Sequence, residues 1–181
     1  KKADRIITIS DFSKSEIVKY LNYPEDRIDI INPAIDHDNY YKKRDRNILK
    51  RFNIPESTQV ILYIGSEMPR QNVLFLLKGF SKLKKILPDI KLLKIGNPQW
   101  NGAREELLKL AKELNIQNDV IFVGYVEEKE LSKWYNASDL FVYPSLYSGW
   151  SLPCLEAMAC GVPVIVSNVS VFSEVVGDAG L

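Results

Sequence analysis

Histidine is all but missing from this chain. His37 is the only one in 181 residues, so no multi-histidine metal site can be assembled. Cysteine is nearly as scarce. Cys154 and Cys160 are too few for a disulfide framework, and their spacing fits no zinc pattern. They read as small buried apolar residues and suit a reducing compartment. No run of about 18 apolar residues exists to cross a membrane as a helix, and no secretory leader pattern opens the chain. The sequence starts Lys-Lys-Ala without a Met and stops at Gly180-Leu181, which reads as two cut ends. An excess of one charge is also missing. The 24 Lys and Arg stand against 23 Asp and Glu, for a formal net charge of +1. No global basic field therefore invites nucleic acid, and an acidic ligand must be held by local features. Internal repeats and low-complexity segments are lacking as well.

What is present is a soluble-protein composition, 46% hydrophobic, arranged as short apolar runs alternating with longer helical stretches. Ile6 to Ile9 reads as a buried strand. Ser13-x-x-Glu16 has capping-box spacing and opens a helix to about Leu21. Ile28 to Ile31 reads as another strand, stopped by Asn32-Pro33, and the stretch to Arg46 is polar and irregular. A boundary is expected there, with residues 1–31 as one unit and 32–181 as another. The second unit has apolar strands at 60–64, 92–95, 120–123, 140–143 and 164–166. Helices are expected at about 72–87, 103–114, 127–135 and 153–160. Continuous apolar strands that alternate strictly with helices imply an α/β fold: a doubly wound, mainly parallel, Rossmann-like sheet covered on both faces.

Ligands of such sheets bind outside the carboxyl ends of the strands. Those ends carry Gly65-Ser66, Gly96-Asn97, Gly124-Tyr125 and Pro144-Ser145, and three of the four begin with Gly, which favours a crevice over plain turns. The segment Ser148-Gly149-Trp150-Ser151-Leu152-Pro153 leads into a helix ended by Gly161 and Pro163. Pro153 suits a first helical residue and Ser151 a cap. The helix start favours an anion. Glu156, one turn in, either accepts hydrogen bonds from sugar hydroxyls or merely complements the helix dipole. The segment from Gly65 to Asn72 places Arg70 beside the crevice. As a bare residue, Arg70 is more readily a solvated surface charge than a phosphate ligand. Trp134 and Tyr135 are spaced as a buried helix face. Lys82, Lys84 and Lys85 read as a solvated one. The loop cluster Asp36, His37 and Asp38 lacks the partners a metal needs.

At these residues the chain resembles the retaining glycosyltransferases of family 4, which have the GT-B fold, and it does so nearly end to end. Residues 3–10 look like the last strand of that family's N-terminal acceptor domain, and Asn32-Pro33-Ala34-Ile35-Asp36 looks like its interdomain linker. Gly65 to Asn72 looks like its phosphate loop. Asp139 to Ser145, with Gly149, Leu152-Pro153 and Gly161 to Ile165, looks like the family signature. The resemblance implies the donor half of a two-domain enzyme that moves a sugar, with retention, from a nucleotide diphosphate sugar to an acceptor hydroxyl. Glu156 then corresponds to the second Glu of the family's E-x7-E motif and binds the donor ribose. Amides around Gly149, Trp150, Ser151 and Leu152 meet the sugar and diphosphate, Tyr125 borders the base, and Gly65, Ser66, Arg70 and Gln71 belong to the phosphate loop.

Three positions depart from the family pattern. Ser148 stands for the first Glu of E-x7-E, Gln71 for the usual phosphate-binding Lys, and Ser66 for an Arg that often follows the loop Gly. Each missing charge-assisted contact is worth roughly 1.5–3 kcal/mol. No catalytic residue is assigned, and no metal or cofactor is expected beyond the nucleotide-sugar substrate. A glycan or lipid-linked acceptor is expected to bind mainly to the other domain. The location expected is cytoplasmic, with peripheral attachment to the inner membrane face. The main rival is a non-catalytic relative that keeps the fold as a nucleotide-sugar-binding or scaffolding module. An epimerase is disfavoured by the linker and signature blocks, and a receiver domain by the lack of acidic residues at the strand ends.

Overall fold

A computed structural model of the chain describes residues 3–99 and 101–181. Two strands, β1 (Ile6–Thr8) and β2 (Ile28–Ile30), pair in parallel around helix α1 (Asp11–Leu21) and form a separate two-stranded sheet. The remainder is a five-stranded sheet built from β3 (Gln59–Ile64), β4 (Ile90–Ile95), β5 (Val120–Gly124), β6 (Leu140–Tyr143) and β7 (Val164–Val166). Its order is β5-β4-β3-β6-β7 and every pairing is parallel. Helices α2 (Val73–Lys84), α3 (Ala103–Glu113), α4 (Glu128–Ala137) and α5 (Leu152–Ala159) make the crossovers, and α6 (Phe172–Val176) follows β7. The chain winds outward from β3 to β4 and β5. It then returns through α4 to place β6 on the other flank of β3. The direction of winding thus reverses between β3 and β6, which is where such sheets open a crevice.

The strands form because their residues are mostly apolar, with many β-branched or aromatic, and because helices cover both faces. Val60, Leu62, Tyr63, Leu92, Leu93 and Phe141 are fully buried. Aromatic rings run through the centre: Tyr63 stacks on Tyr143 at 5.9 Å and Phe141 on Tyr143 at 6.0 Å between centroids. Trp134 and Tyr135 are buried, as their spacing requires, and so are both cysteines. Left-handed Asn residues punctuate the helices: Asn22 ends α1, Asn53 ends a 3-10 turn at Asn47–Phe52, and Asn115 lies just beyond α3.

Several expectations need correction. The cap of α1 is Ser10, whose Oγ accepts from the Ser13 amide at 2.9 Å, so Ser13 lies within the helix and not before it. Ile7 and Ile9 are exposed, because their sheet has only two strands among the described residues and nothing covers its outer side. Helix α2 ends at Lys84, three residues early, and 85–87 continue only as hydrogen-bonded turns. Lys84 is not a solvated charge. Its Nζ donates to the Pro88 carbonyl at 2.5 Å and to Asp119 at 2.8 Å, tying the helix end to the loop before β5. The first residue of α5 is Leu152, with Pro153 second, and Ser151 makes no capping bond; its hydroxyl donates instead to Cys154 Sγ at 3.0 Å.

Candidate functional site

Two loops meet at the carboxyl ends of β3 and β6. The first, Gly65 to Asn72, is anchored at three points. The Tyr63 hydroxyl donates to the Ser66 carbonyl at 2.9 Å. Glu67 is buried against Lys94 and Arg104. The Arg70 carbonyl accepts from the Leu146 amide at 2.7 Å and from the Ser145 hydroxyl at 3.2 Å. That last pair joins the first loop to the second, Pro144 to Ser151, across the reversal of the sheet. Arg70 itself is exposed, and its Nη1 donates to the Tyr147 carbonyl at 3.2 Å. Gln71 is buried beside Tyr143, and its Oε1 has no hydrogen-bond partner among the described residues.

The second loop is shaped by small residues. Ser148 donates its amide to Ser170 Oγ at 3.1 Å and its hydroxyl to the Trp150 carbonyl. A Cβ on Gly149 would stand 3.2 Å from Ser13 Oγ, because the start of α1 is packed on this loop. Ser10 Oγ donates to the Gly149 carbonyl at 2.8 Å, and Glu174 of α6 accepts from the Asp11 and Phe12 amides at 3.0 and 3.2 Å. The N-terminus of α1 is therefore fully occupied. That of α5, eight residues long, has neither a side-chain cap nor an acidic residue in its first turn, which leaves it free for an anion; the start of α2, at the end of the first loop, is uncapped in the same way. Trp150 is half-buried and Leu152 exposed at its mouth.

Glu156 lies one turn inside α5, half-buried, and its Oε2 accepts from the Tyr135 hydroxyl at 2.7 Å. Burial pushes its carboxyl up. The Tyr135 bond works the other way, and Glu128 adds to the rise. Tyr125 stands apart from these groups, exposed at the end of β5, two strands from the reversal. It borders a hollow of 400 Å³ shared with Val123, Val126 and Trp134.

Residues 44–180 match the family described as glycosyl transferases group 1. The chain belongs to the group 1 glycosyltransferases. It is 38% identical over 183 residues to the O-antigen chain mannosyltransferase B of Escherichia coli, covering 99% of this chain and 47% of that protein. It is 30% identical over 182 residues to D-inositol 3-phosphate glycosyltransferase 2 of Catenulispora acidiphila, covering 97% of this chain and 43% of that one. The chain thus spans about half the length of the curated relatives it matches. Among solved structures, the sucrose-phosphate synthase of Thermosynechococcus elongatus superposes with a TM-score of 0.85 at 26% identity, over 99% of this chain and 45% of that one. HepE of Anabaena in complex with UDP-glucose shares the fold, with a TM-score of 0.86 at 17% identity over 96% of this chain and 47% of that one. The five-stranded parallel sheet with its flanking helices is that of GT-B glycosyltransferases.

Reasoning from sequence missed the groups that hold these loops and helix starts together: Glu67, Lys94, Arg104, Ser10, Glu174 and Tyr135. One signal was available. Lys94 interrupts the apolar run Leu92-Leu93-Lys94-Ile95 of a central strand, and a charge there has to be buried and paired.

Proposed function

We propose that this chain is the donor-binding domain of a retaining hexosyltransferase, which takes a sugar from a nucleotide diphosphate sugar and hands it to an acceptor hydroxyl. One observation carries the reading. The uncapped start of α5 opens at the reversal of the sheet beside the Arg70 loop, with the half-buried carboxylate of Glu156 one turn behind it. An anion at that helix end gains from free amides and dipole together, and Glu156 then lies past the phosphates, toward the ribose. The solved neighbours in complex with UDP and UDP-glucose support a nucleoside diphosphate ligand. The O-antigen chain mannosyltransferase relative supports hexosyl transfer to a glycan; in this reading a glycan or lipid-linked acceptor is held by the other domain, close to a membrane face. In this reading catalysis rests on positioning and on electrostatic stabilisation of the departing diphosphate.

Titration calorimetry with a ribonucleoside diphosphate and its 2′,3′-dideoxy analogue tests the reading. Glu156→Gln should weaken the ribonucleotide by about tenfold or more, since a charge-assisted bond is worth roughly 1.5–3 kcal/mol, and leave the dideoxy ligand unaffected. Equal losses for both ligands would remove the ribose role.

A second reading has its own support. Gln71 is buried where the resemblance implies a phosphate-binding Lys, and Ser66 and Ser148 also lack the charges implied there. A domain that binds the nucleotide sugar without transferring it is consistent with that. Incubating the full-length protein with labelled donor and acceptor separates the two, because turnover rules the second reading out.

A further inference from the structure

Beneath the Gly65–Asn72 loop, Lys94 and Arg104 converge on the loop's own Glu67. Lys94, near the end of β4, is 1% exposed. Its Nζ lies 2.7 Å from Glu67 Oε1 and donates to the Gly96 carbonyl at 2.7 Å. Arg104, in the first turn of α3, donates Nε to the same Glu67 oxygen at 2.7 Å, and its Nη2 meets that oxygen too. The Arg104 guanidinium lies 4.5 Å from the centre of the Phe122 ring. The Glu67 side chain is completely buried, and its Oε2 has no partner among the described residues. Every bond to the carboxylate therefore falls on one oxygen, and two cations share a single anion.

Such an arrangement is costly if its only task is to hold the fold. A lysine in the middle of a parallel sheet loses its hydration, and apolar residues in place of the whole charged cluster would avoid that cost. The buried surplus is one positive charge, set behind a loop whose own Ser66 and Gln71 carry none. Water screens a buried charge poorly, so its field reaches further than that of a surface lysine.

We propose that Lys94 and Arg104 are positioning residues for the donor diphosphate: they fix the Gly65–Asn72 loop through Glu67, and their surplus charge provides the positive field that Ser66 and Gln71 do not. The proposal rests on the donor reading above. It accounts for a phosphate loop that has lost its expected cations in a chain that keeps the surrounding architecture.

The test follows protein amide resonances while UDP and GDP, each beside its own nucleoside, are titrated into wild type and variants at two salt concentrations. Lys94→Met should weaken the diphosphate about tenfold at both salt concentrations, with the nucleoside unchanged. Arg104→Gln, at the partly exposed end of the cluster, should do the same, and it decides the matter if Lys94→Met does not fold. Arg104→Lys, which keeps the charge, should restore most of the affinity. Equal weakening of nucleoside and diphosphate would mark the cluster as scaffold only and overturn the proposal. So would unchanged diphosphate affinity in Arg104→Gln. If wild type binds both diphosphates no better than their nucleosides, the donor reading itself falls and takes this one with it.

Discussion

Glu156 is held in two ways that pull its proton in opposite directions. Burial favours the neutral acid, and the hydrogen bond from Tyr135 favours the carboxylate; burial wins, so the folded-state pKa lies above the ordinary value of 4.5. The native state therefore keeps a proton that the unfolded chain has already released. Any stability this group contributes is fully present below pH 4.5 and is lost as pH rises through the raised value. Glu156→Gln, which cannot ionise, should be more stable than wild type at pH 7 by a margin that disappears near pH 4. Thermal melts of both proteins across that range check this. A margin that does not change with pH would mean the carboxyl is not strained by burial. At this scale the sequence singled out Glu156 and Arg70 as candidates, because a helix start and a strand-end loop are local patterns. It did not identify Tyr135 as the partner of Glu156, since that contact joins two helices 21 residues apart.

The elements around the site are fitted together by backbone. Gly96 has φ of +109°, and a Cβ there would stand 2.3 Å from the Gly65 carbonyl oxygen. The ends of β3 and β4 can lie side by side only while that position is glycine. Gly96→Ala should lower stability by roughly 3 kcal/mol or more, because the left-handed strain adds to a backbone clash that no rotamer relieves. Gly102→Ala, also at positive φ but with open space around it, should cost only the backbone strain, about 1 kcal/mol. Urea unfolding of the pair distinguishes close approach from turn chemistry, and similar losses would show that the contact with Gly65 relaxes easily. The glycines at the strand ends were visible in the sequence, but which of them touches another strand was not. Helix α1 shows the same limit. Its start was placed at Ser13 by a local capping pattern, whereas Ser10 caps it and Glu174, more than 160 residues away, completes the cap.

At the scale of the whole molecule, both free thiols sit in the same cooperative unit. Cys154 lies inside α5 and Cys160 just after it, both buried, and burial raises their thiols to about 12 and about 11. Neither should react as a thiolate in the folded state. Labelling with a thiol reagent should follow the global unfolding curve in denaturant, with both cysteines modified together. Rapid labelling of Cys154 alone in native buffer would show instead that α5 opens locally, and the anion site proposed at its N-terminus would then be a mobile one.

Sequence by itself determined the class of this protein and the order of its parts. Apolar runs alternating with helical stretches leave few arrangements other than a parallel sheet wrapped in helices, since buried strands must be covered on both faces and their crossovers must be helical. It also pointed to the strand ends as the place for a ligand, because glycines and a helix start with Pro in its first turn are local signals. Tertiary structure alone decided which strand ends meet at the reversal between β3 and β6, that Arg70 is exposed and Gln71 buried, and that Lys94 shares Glu67 with Arg104. The physical reason is range. Secondary structure and turns are set by neighbours within a few residues, whereas burial, ion pairing and a shared carboxylate depend on segments 27 to 37 residues apart that only the closed fold brings together.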